Sequence, residues 1–255
     1  MSATPEKLVE MRGVKLQFAD KVILDGVDFS VQTQEVLVIM GLSGGGKSTL
    51  LSILLGLLKP NAGSAFFKKE DLTRLSRAKL NEVRTHMGMV YQNAALVSSM
   101  TVRENIGLPL EELSEKNAKE IASIIDQKLE MVGLKDAGDK LPSELSGGME
   151  KRVGLARALA LEPELVLFDE PSAGLDPINT KLIDDLIIQL RDKQKVTSIV
   201  VTHEMDSAFA VATRMAFLDQ GKIILEAAPD EFRHSDNPIV SKFLSSYSER
   251  EHSKE

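Results

Sequence analysis

The sequence predicts an α/β protein with a mainly parallel sheet core, an N-terminal antiparallel β subdomain and a helical subdomain. Short apolar runs rich in Val and Ile alternate with longer helix-like runs, a pattern typical of parallel sheets covered by helices. A glycine-rich loop joins one apolar run to a helix-like run. The first 33 residues instead show two strand-like runs, and the region from about 70 to 160 is mostly helical in pattern.

Composition indicates an ordinary globular chain. Of its 255 residues 43% are hydrophobic and 27% are charged, and the net charge of −7 gives no bulk attraction for nucleic acid. The absence of cysteine excludes disulfides and Cys-based metal sites. The longest apolar run, residues 50–58, is far shorter than the roughly 20 residues of a membrane-spanning helix, so a soluble protein is expected.

The domain organisation is expected to be simple. One domain is predicted over residues 1–247, with the helical subdomain at about 93–160, and a disordered tail at 248–255. An antiparallel pair is predicted from residues 8–16 and 23–31, which are separated by the turn-like FADK. Further strands are predicted at 35–40, 86–91, 165–170 and 197–203, and a hairpin at 215–227 around Gln220 and Gly221.

Helices are predicted between these strands, at residues 47–58, 115–132, 147–160 and 179–192. The C-terminal segment 229–247 carries apolar residues at helical spacing, namely Ile239, Val240, Phe243 and Leu244. This stripe is compatible with packing on the chain's own body and with contact to a second subunit, and the sequence leaves both open.

The stretch GLSGGGKS at residues 41–48 fits the pattern G-x-x-x-x-G-K-S/T, between a predicted strand and a predicted helix. Glycines let backbone N–H groups converge on an anion, and the following helix adds its positive end. Lys47 is expected to reach the β- and γ-phosphates, and Ser48 to ligate Mg²⁺. The predicted nucleotide-binding residues here are Gly41, Ser43, Gly44, Gly45, Gly46, Lys47, Ser48 and Thr49.

Two carboxylates, Asp169 and Glu170, end the apolar run LVLF. Such a strand end is where ligands bind in parallel sheets. We expect Asp169 to hold Mg²⁺ through water and Glu170 to polarise the attacking water. A strand that turns polar as it reaches the surface would look the same, but the upstream phosphate loop favours the site.

The order LSGGMEKR, LARALALEPELVLFDEP and SAGLDP resembles the ATP-binding cassette (ABC) family over nearly the whole chain. The resemblance implies an ABC-type P-loop NTPase that binds ATP and Mg²⁺ and hydrolyses ATP. Met149 stands where the family's signature loop, LSGGQ, usually has Gln.

The family pattern implies further site residues. Phe18 resembles the aromatic residue that stacks on adenine, although it could equally be a core residue. Gln92 resembles the Q-loop glutamine near Mg²⁺ and the attacking water, and His203 the switch histidine. Ser146, Gly147 and Gly148 correspond to the signature residues that touch the γ-phosphate. Asp176 corresponds to the D-loop aspartate.

A helix that opens with Ser-Gly-Gly is a second anion site, so the chain carries two. In the family the second site faces the nucleotide of another subunit, which predicts a homodimer holding two ATP molecules. Ser146 is also a good helix N-cap, and the two roles are compatible.

Finer features, including VRTHMGMVYQNAAL and Met149, resemble the ATPases of Mce-type lipid transporters such as the Mla system. That resemblance implies phospholipid transport between inner and outer membranes through a separate MlaE-like permease, with an Mce-domain MlaD-like protein and a STAS-domain MlaB-like protein. It places the chain on the cytoplasmic face of the inner membrane. Residues 93–100 are expected either to line a groove for a permease helix or to pack locally.

Two alternatives stay open. The ATPase could serve another membrane transporter, for a polar solute or a lipoprotein, since such systems differ only in their permease. It could also be a soluble ABC ATPase that remodels a nucleic-acid or ribosomal complex, although nucleic acid is not expected as a partner. The lack of a long coiled-coil insertion and of a second cassette argues against this class.

Overall fold

A computed structural model describes residues 6–42 and 44–252. The chain forms two compact units, one of residues 1–74 and 200–255 and the other of residues 75–199. Within the described ranges, no helix is both long and apolar enough to cross a membrane. The alternating strands and helices of an α/β P-loop NTPase are present, with an antiparallel β layer at the N-terminus.

The first unit contains the antiparallel sheet, in the order β2-β1-β4-β5. Its strands are β1 (Lys7–Phe18), β2 (Lys21–Gln32), β4 (Ala62–Phe67) and β5 (Glu70–Asp71). The predicted N-terminal pair is therefore present, but the turn is shorter than the four residues of FADK. Phe18 pairs with Lys21, so only Ala19 and Asp20 turn, and Ala19 has a left-handed φ of 48°.

The first unit also contains β3 (Val36–Met40), which pairs in parallel with β9 (Arg214–Asp219). All five residues of β3 are buried, as its continuous apolar run predicts. The predicted hairpin is present: β10 (Lys222–Ala227) runs antiparallel to β9. The helices of this unit are α1 (Lys47–Leu54), α7 (Met205–Val211), α8 (Pro229–Arg233) and α9 (Pro238–His252).

Helix α1 ends four residues earlier than the prediction of a helix to residue 58. Gly56 adopts a left-handed φ of 63°. The N–H groups of Leu57 and Leu58 both return to the carbonyl oxygen of Ser52, at 2.8 and 3.2 Å. The apolar run continues through this reversal, and for that reason the hydrophobic pattern alone could not reveal the helix end.

Helix α9 packs on its own unit through part of the predicted apolar stripe. Val240 is fully buried, and the Phe243 ring meets Phe217 edge to face with ring centroids 5.0 Å apart. Ile239 is 44% exposed. The helix extends to His252, into the segment expected to be disordered, and residues 253–255 lie outside the described chain.

The second unit contains β6 (Met87–Val90) paired in parallel with β7 (Leu165–Asp169). The boundary between the units falls within strand β8 (Thr197–Val201), after Ile199. The helices here are α2 (Arg77–Arg84), α3 (Val102–Leu113), α4 (Ala118–Met131), α5 (Gly147–Ala158) and α6 (Pro177–Gln194). The predicted helices at 115–132, 147–160 and 179–192 correspond to α4, α5 and α6; α5 begins at the predicted residue, and the other ends are shifted by one to three residues.

The helical part of this unit has its own apolar core, built mainly from α3, α4 and α5. Val102, Ile106, Leu110, Leu129 and Val153 are among its buried residues. Capping boxes begin two of the helices: Thr101 with Glu104 for α3, and Asn117 with Glu120 for α4. Each box satisfies N–H groups that a helix start otherwise leaves unpaired.

Candidate functional site

The glycine-rich loop of the first unit has a backbone that only glycine accommodates at two points. At Gly41 φ is 152°, and an added Cβ would lie 2.1 Å from the carbonyl oxygen of Leu218. At Gly46 φ is 98°, and an added Cβ would lie 2.9 Å from the Leu24 side chain. Gly44 and Gly45 are partly accessible between them, and Ser43 lies outside the described residues. The loop is therefore pressed against β9 and β2 while its middle faces outward.

Lys47 is the first residue of α1 and is only 7% exposed. Its ammonium group donates hydrogen bonds to the carbonyl oxygens of Gly41, at 2.8 Å, and Leu42, at 3.2 Å. The side chain therefore folds back over the loop, where its charge adds to the positive end of the helix. Ser48 is exposed and Thr49 is half-buried in the same first turn.

A cavity of about 460 Å³ adjoins this loop within the first unit. It is lined by Val22, Ile23, Asp25, Gly44, Gly45, Gln220, Gly221 and Lys222. Phe18 and Val22 are 51% and 54% exposed, so both present apolar surface to solvent. An exposed aromatic ring fits stacking on a planar base better than it fits the alternative of a core aromatic residue.

His203, also in the first unit, follows β8. Its side chain is 47% exposed, and its Nε2 lies 3.5 Å from Glu204 Oε1. The imidazole is thus accessible, with a neighbouring carboxylate to orient it.

In the second unit, β7 delivers the two carboxylates predicted from its sequence. Asp169 is its last residue, and Glu170 follows directly; both are half-buried. Glu170 has a left-handed φ of 48°. A non-glycine residue in that region is strained, which the surrounding structure must compensate, and such strain is concentrated at functional sites.

Gln92 is exposed just after β6, at the start of a tightly held loop. Ala94 and Ala95 both have left-handed φ values, 54° and 50°. The Arg157 guanidinium, from α5, donates to their carbonyl oxygens at 2.7 and 2.8 Å. Burial lowers the pKa of this guanidinium, but its two carbonyl acceptors offset part of the desolvation.

The continuation of this loop is held by Asn105, which is fully buried on α3. Its side-chain oxygen accepts from the N–H of Val97 at 2.8 Å. Its amide donates to the carbonyl oxygens of Val97, Met100 and Thr101, at 3.0 to 3.1 Å. One buried side chain thus satisfies the backbone of a whole turn.

The predicted signature loop begins α5. Ser146 is the N-cap, and its Oγ accepts from the N–H of Met149 at 3.4 Å. The capping role of Ser146 is therefore confirmed, and its phosphate contact stays a prediction. An added Cβ at Gly147 would meet nothing within 4 Å, so this part of the loop is open. Lys151 lies on the same helix, is 8% exposed, and donates to the carbonyl oxygen of Ala173 at 2.5 Å.

Asp176 caps α6, as its position before Pro177 allows. Its Oδ1 accepts from the N–H groups of Ile178 and Asn179, each at 3.0 Å. Its Oδ2 accepts from the Asn179 side-chain amide at 2.5 Å. Hydrogen bonds from the Asn179 backbone and side chain lower the pKa of the exposed Asp176 carboxyl, which is therefore ionised at neutral pH.

The described side chains of His, Cys, Asp and Glu form no group of three or more that could hold a metal ion. A site built only from protein carboxylates is thus not present in these ranges. Mg²⁺ bound through phosphate and water needs fewer protein ligands. Ser48 in the first unit is exposed, and in the second unit Gln92 is exposed and Asp169 half-buried, so the side chain of each is accessible to solvent.

The predicted site residues divide between the two units. The first unit holds Phe18, the glycine-rich loop with Lys47, Ser48 and Thr49, and His203; the second holds Gln92, Ser146, Gly147, Gly148, Asp169, Glu170 and Asp176. Sequence reasoning missed the supporting residues Asn105, Lys151, Arg157 and Asn179. A signal existed for Arg157, a lone cation in the apolar helical run LARALA.

Met149 is partly buried against the core of the helical cluster. Because its backbone N–H and not its side chain meets Ser146, we expect Met149→Gln to keep ATP hydrolysis close to that of the parent. Loss of apolar packing should lower the free energy of unfolding by about 1 kcal/mol. Steady-state hydrolysis and urea unfolding of the purified chain check both parts. Ser146→Arg, which places a bulky side chain at the predicted phosphate contact and should block hydrolysis, is the comparison, and an equal loss of rate in Met149→Gln would contradict the first part.

Comparison with known proteins identifies a matching family and similar proteins. The family described as ABC transporter matches residues 24–173. The MlaF ATP-binding protein of the intermembrane phospholipid transport system of Haemophilus influenzae is 38% identical over 239 residues, covering 94% of this chain and 90% of that protein. The TRIGALACTOSYLDIACYLGLYCEROL 3 protein of Arabidopsis thaliana is 41% identical over 253 residues, covering 92% of this chain and 73% of that protein.

A solved structure matches as well. The dimeric, post-hydrolysis ATP-binding cassette MJ0796, bound to ADP and Pi, superposes with a TM-score of 0.80 at 30% identity. The match covers 87% of this chain and 98% of that one.

Proposed function

This chain belongs to the ABC transporter family, and from that premise we propose that it is the ATP-hydrolysing subunit of a transporter that moves phospholipid between membranes. The observation that carries the proposal is the match to MlaF over 90% of that protein's length, together with the complete ordered set of ABC motifs in this chain. The phospholipid substrate is inferred from the relative's name, and the ATPase activity is inferred from the residues of this chain.

Nucleotide binding rests on the first unit. The glycine-rich loop offers N–H groups and the end of α1 to phosphate, and the Lys47 ammonium stands ready to exchange its carbonyl acceptors for phosphate oxygens. Phe18 offers its exposed ring to the adenine. Ser48, with Asp169 and Gln92 through water, would hold Mg²⁺, which neutralises charge on the β- and γ-phosphates when bound.

Hydrolysis rests on carboxylate and imidazole groups. Glu170 accepts hydrogen bonds from the attacking water and holds it in line with the γ-phosphate. Gln92 and His203 orient the water and the γ-phosphate oxygens. The left-handed backbone conformation of Glu170 sets the direction in which its side chain leaves the backbone, because few other conformations are compatible with the turn that follows β7.

The assembly we propose is a homodimer. Cassette MJ0796 is dimeric. The open backbone at Gly147 and the N-terminus of α5 form an anion site that its own chain leaves accessible. In a head-to-tail dimer, Ser146, Gly147 and Gly148 of one subunit would meet the γ-phosphate held by the other, so that neither subunit hydrolyses ATP alone.

We propose that closure of the dimer on ATP is transmitted to the permease through a groove in the second unit. This groove encloses about 430 Å³ and is lined by Arg84, Met87, Gly88, Met89, Tyr91, Leu108, Pro109, Glu112, Leu113, Arg157, Ala158 and Leu161. Tyr91 directly precedes Gln92, and Arg157 holds the loop that follows it. We propose that a short cytoplasmic helix of the permease occupies the groove and thereby senses nucleotide through this loop.

The sequence predicts that residues 93–100, with Leu96, Val97 and Met100, either line a docking groove or pack locally. They do not line it. Leu96 packs against the apolar core of the helical cluster, and Asn105 holds the backbone of Val97 and Met100. These contacts support the local-packing alternative for this segment, and we propose the exposed groove residues Tyr91 and Leu113 for the docking role instead.

We expect Leu113→Asp to detach the permease, because a charge would replace apolar surface at the groove wall. Leu57→Asp is the matched control, since Leu113 and Leu57 are 55% and 56% exposed and Leu57 does not line the groove. Co-purification from detergent measures the result, with ATP binding measured alongside. Permease retained at full stoichiometry by Leu113→Asp would contradict the docking site.

The finer partners we propose are an MlaE-like permease, an Mce-domain MlaD-like protein and a STAS-domain MlaB-like protein. The permease would hold the chain at the cytoplasmic face of the inner membrane. The test of function is what stimulates ATP hydrolysis by the purified complex. Phospholipid should raise the rate and nucleic acid should not; stimulation by nucleic acid alone would favour the remodelling alternative.

A further inference from the structure

The start of α6 and the start of α5 meet at one side chain. Asn179 is the third residue of α6, and its carboxamide lies against Gly148, the second residue of α5. A Cβ added at Gly148 would lie 2.5 Å from Asn179 Oδ1 and 2.6 Å from Asn179 Cγ. Gly147, one residue earlier, has open space instead. A side chain at position 148 would therefore displace the Asn179 carboxamide, whereas one at position 147 would meet nothing in this chain.

The same carboxamide also holds the cap of its own helix. Asn179 Nδ2 donates to Asp176 Oδ2 at 2.5 Å, while the backbone N–H groups of Ile178 and Asn179 occupy Oδ1. Both carboxylate oxygens of Asp176 are thereby fixed. A charge-assisted hydrogen bond of this kind is stronger than a neutral one and fixes the orientation of the carboxylate.

A second bridge supports the first. Lys151 of α5 donates to the carbonyl oxygen of Ala173, three residues before Asp176. Between them Gly174 has a left-handed φ of 75°, and the Leu175 N–H donates to the carbonyl oxygen of Ser172 at 3.1 Å. The loop of residues 173–176 is thus hydrogen-bonded to α5 at Ala173, while at Asp176 it reaches α5 only through the close contact of Asn179 with Gly148.

We propose that Asn179 is a positioning residue. Its carboxamide contacts both the Asp176 carboxylate and the signature backbone at Gly148, and it thereby fixes their separation when both contact a partner subunit. This inference rests on the proposed ATP-bound homodimer. Asn179 would touch no nucleotide itself; it would fix the separation of two groups that must reach the partner together. Losing it should weaken dimer closure and leave nucleotide binding by the single chain intact.

The test uses the full chain with Glu170→Gln, so that hydrolysis does not consume the dimer. Asn179→Asp keeps the size and shape of the side chain but replaces the donor with an acceptor facing Asp176. We expect it to raise the ATP concentration for half-maximal dimerisation by about tenfold or more, as for loss of a charge-assisted hydrogen bond. Asn179→Ser, which keeps a short donor, should recover part of the loss.

Two controls separate positioning from general stability. Asn81→Asp makes the same charge change on α2, where Asn81 only accepts from Arg84, and should dimerise like the parent. In an Asp176→Ala background, Asn179→Asp should have little further effect, since the group it positions is gone. Binding of a fluorescent ADP analogue to the monomer should not change, and the melting temperature should stay well above the assay temperature, so that the monomer remains folded.

Three results would overturn the inference. Asn179→Asp could dimerise like its parent, its effect could persist undiminished without Asp176, or its nucleotide binding and melting temperature could fall in step with dimerisation, which would mean a role in the fold alone. If the parent itself does not dimerise with ATP, the proposed sandwich is wrong and this inference is wrong with it. Failure of phospholipid to stimulate the complex, with dimerisation normal, would contradict the proposed substrate only.

Discussion

Lys47→Ala should abolish ATP turnover, with a loss of about 100-fold or more in rate. The ammonium is buried, with two carbonyl oxygens as acceptors in the glycine-rich loop, and we propose that its charge binds the β- and γ-phosphates. Its removal takes away several kcal/mol of electrostatic stabilisation where negative charge develops. Steady-state hydrolysis by the purified complex measures the loss.

Lys59→Ala is the matched control for this variant. Lys59 is an exposed lysine shortly after α1, so its removal makes the same change in net charge outside the loop. It should hydrolyse ATP at the parental rate. Near-normal turnover by Lys47→Ala would remove the glycine-rich loop from the account, whereas equal losses in both variants would mean that net charge and not position is responsible.

Glu170→Gln should stop hydrolysis while leaving ATP binding intact. The amide keeps the shape of the side chain, but it cannot stabilise the charge that develops on the attacking water. We expect a rate loss of about 100-fold or more, and accumulation of ATP-bound dimers. Hydrolysis is measured directly, and the mass in ATP and Mg²⁺ is measured by size exclusion.

Glu130→Gln, at an exposed position on α4, provides the same substitution away from the strand end and should behave as the parent. If Glu170→Gln turned over ATP at the parental rate, the residue would not act on the attacking water. If it lost ATP binding as well, the carboxylate would support the loop and not the chemistry.

The sequence predicted the buried strands well, because their physical signal is local. The apolar residues of β3 and the run before Asp169 in β7 are buried, and an unbroken Val/Ile/Leu run indicates such burial directly. The hairpin of β9 and β10 was equally visible from Gln220 and Gly221. The end of α1 was not, since Gly56 reverses the chain inside an apolar run.

Most of the groups that brace the candidate site could not be found in this way. Arg157 reaches carbonyls 62 residues away in sequence, and Lys151 reaches one 22 residues away. The Asn179 contact with Gly148 likewise depends on two helix starts meeting in space. Such pairings leave no periodic pattern, so the motifs predict which residues contact the nucleotide, and only the folded chain shows which residues hold the surrounding loops.

The central claim is tested most directly by phospholipid transfer in reconstituted membranes. The purified complex of this chain with the proposed permease and Mce-domain partner is placed in donor vesicles, and the arrival of a labelled phospholipid on acceptor vesicles is followed with ATP and Mg²⁺. We predict transfer that requires ATP and is abolished by Glu170→Gln. Normal ATP hydrolysis with no ATP-dependent phospholipid transfer in either direction would contradict the account.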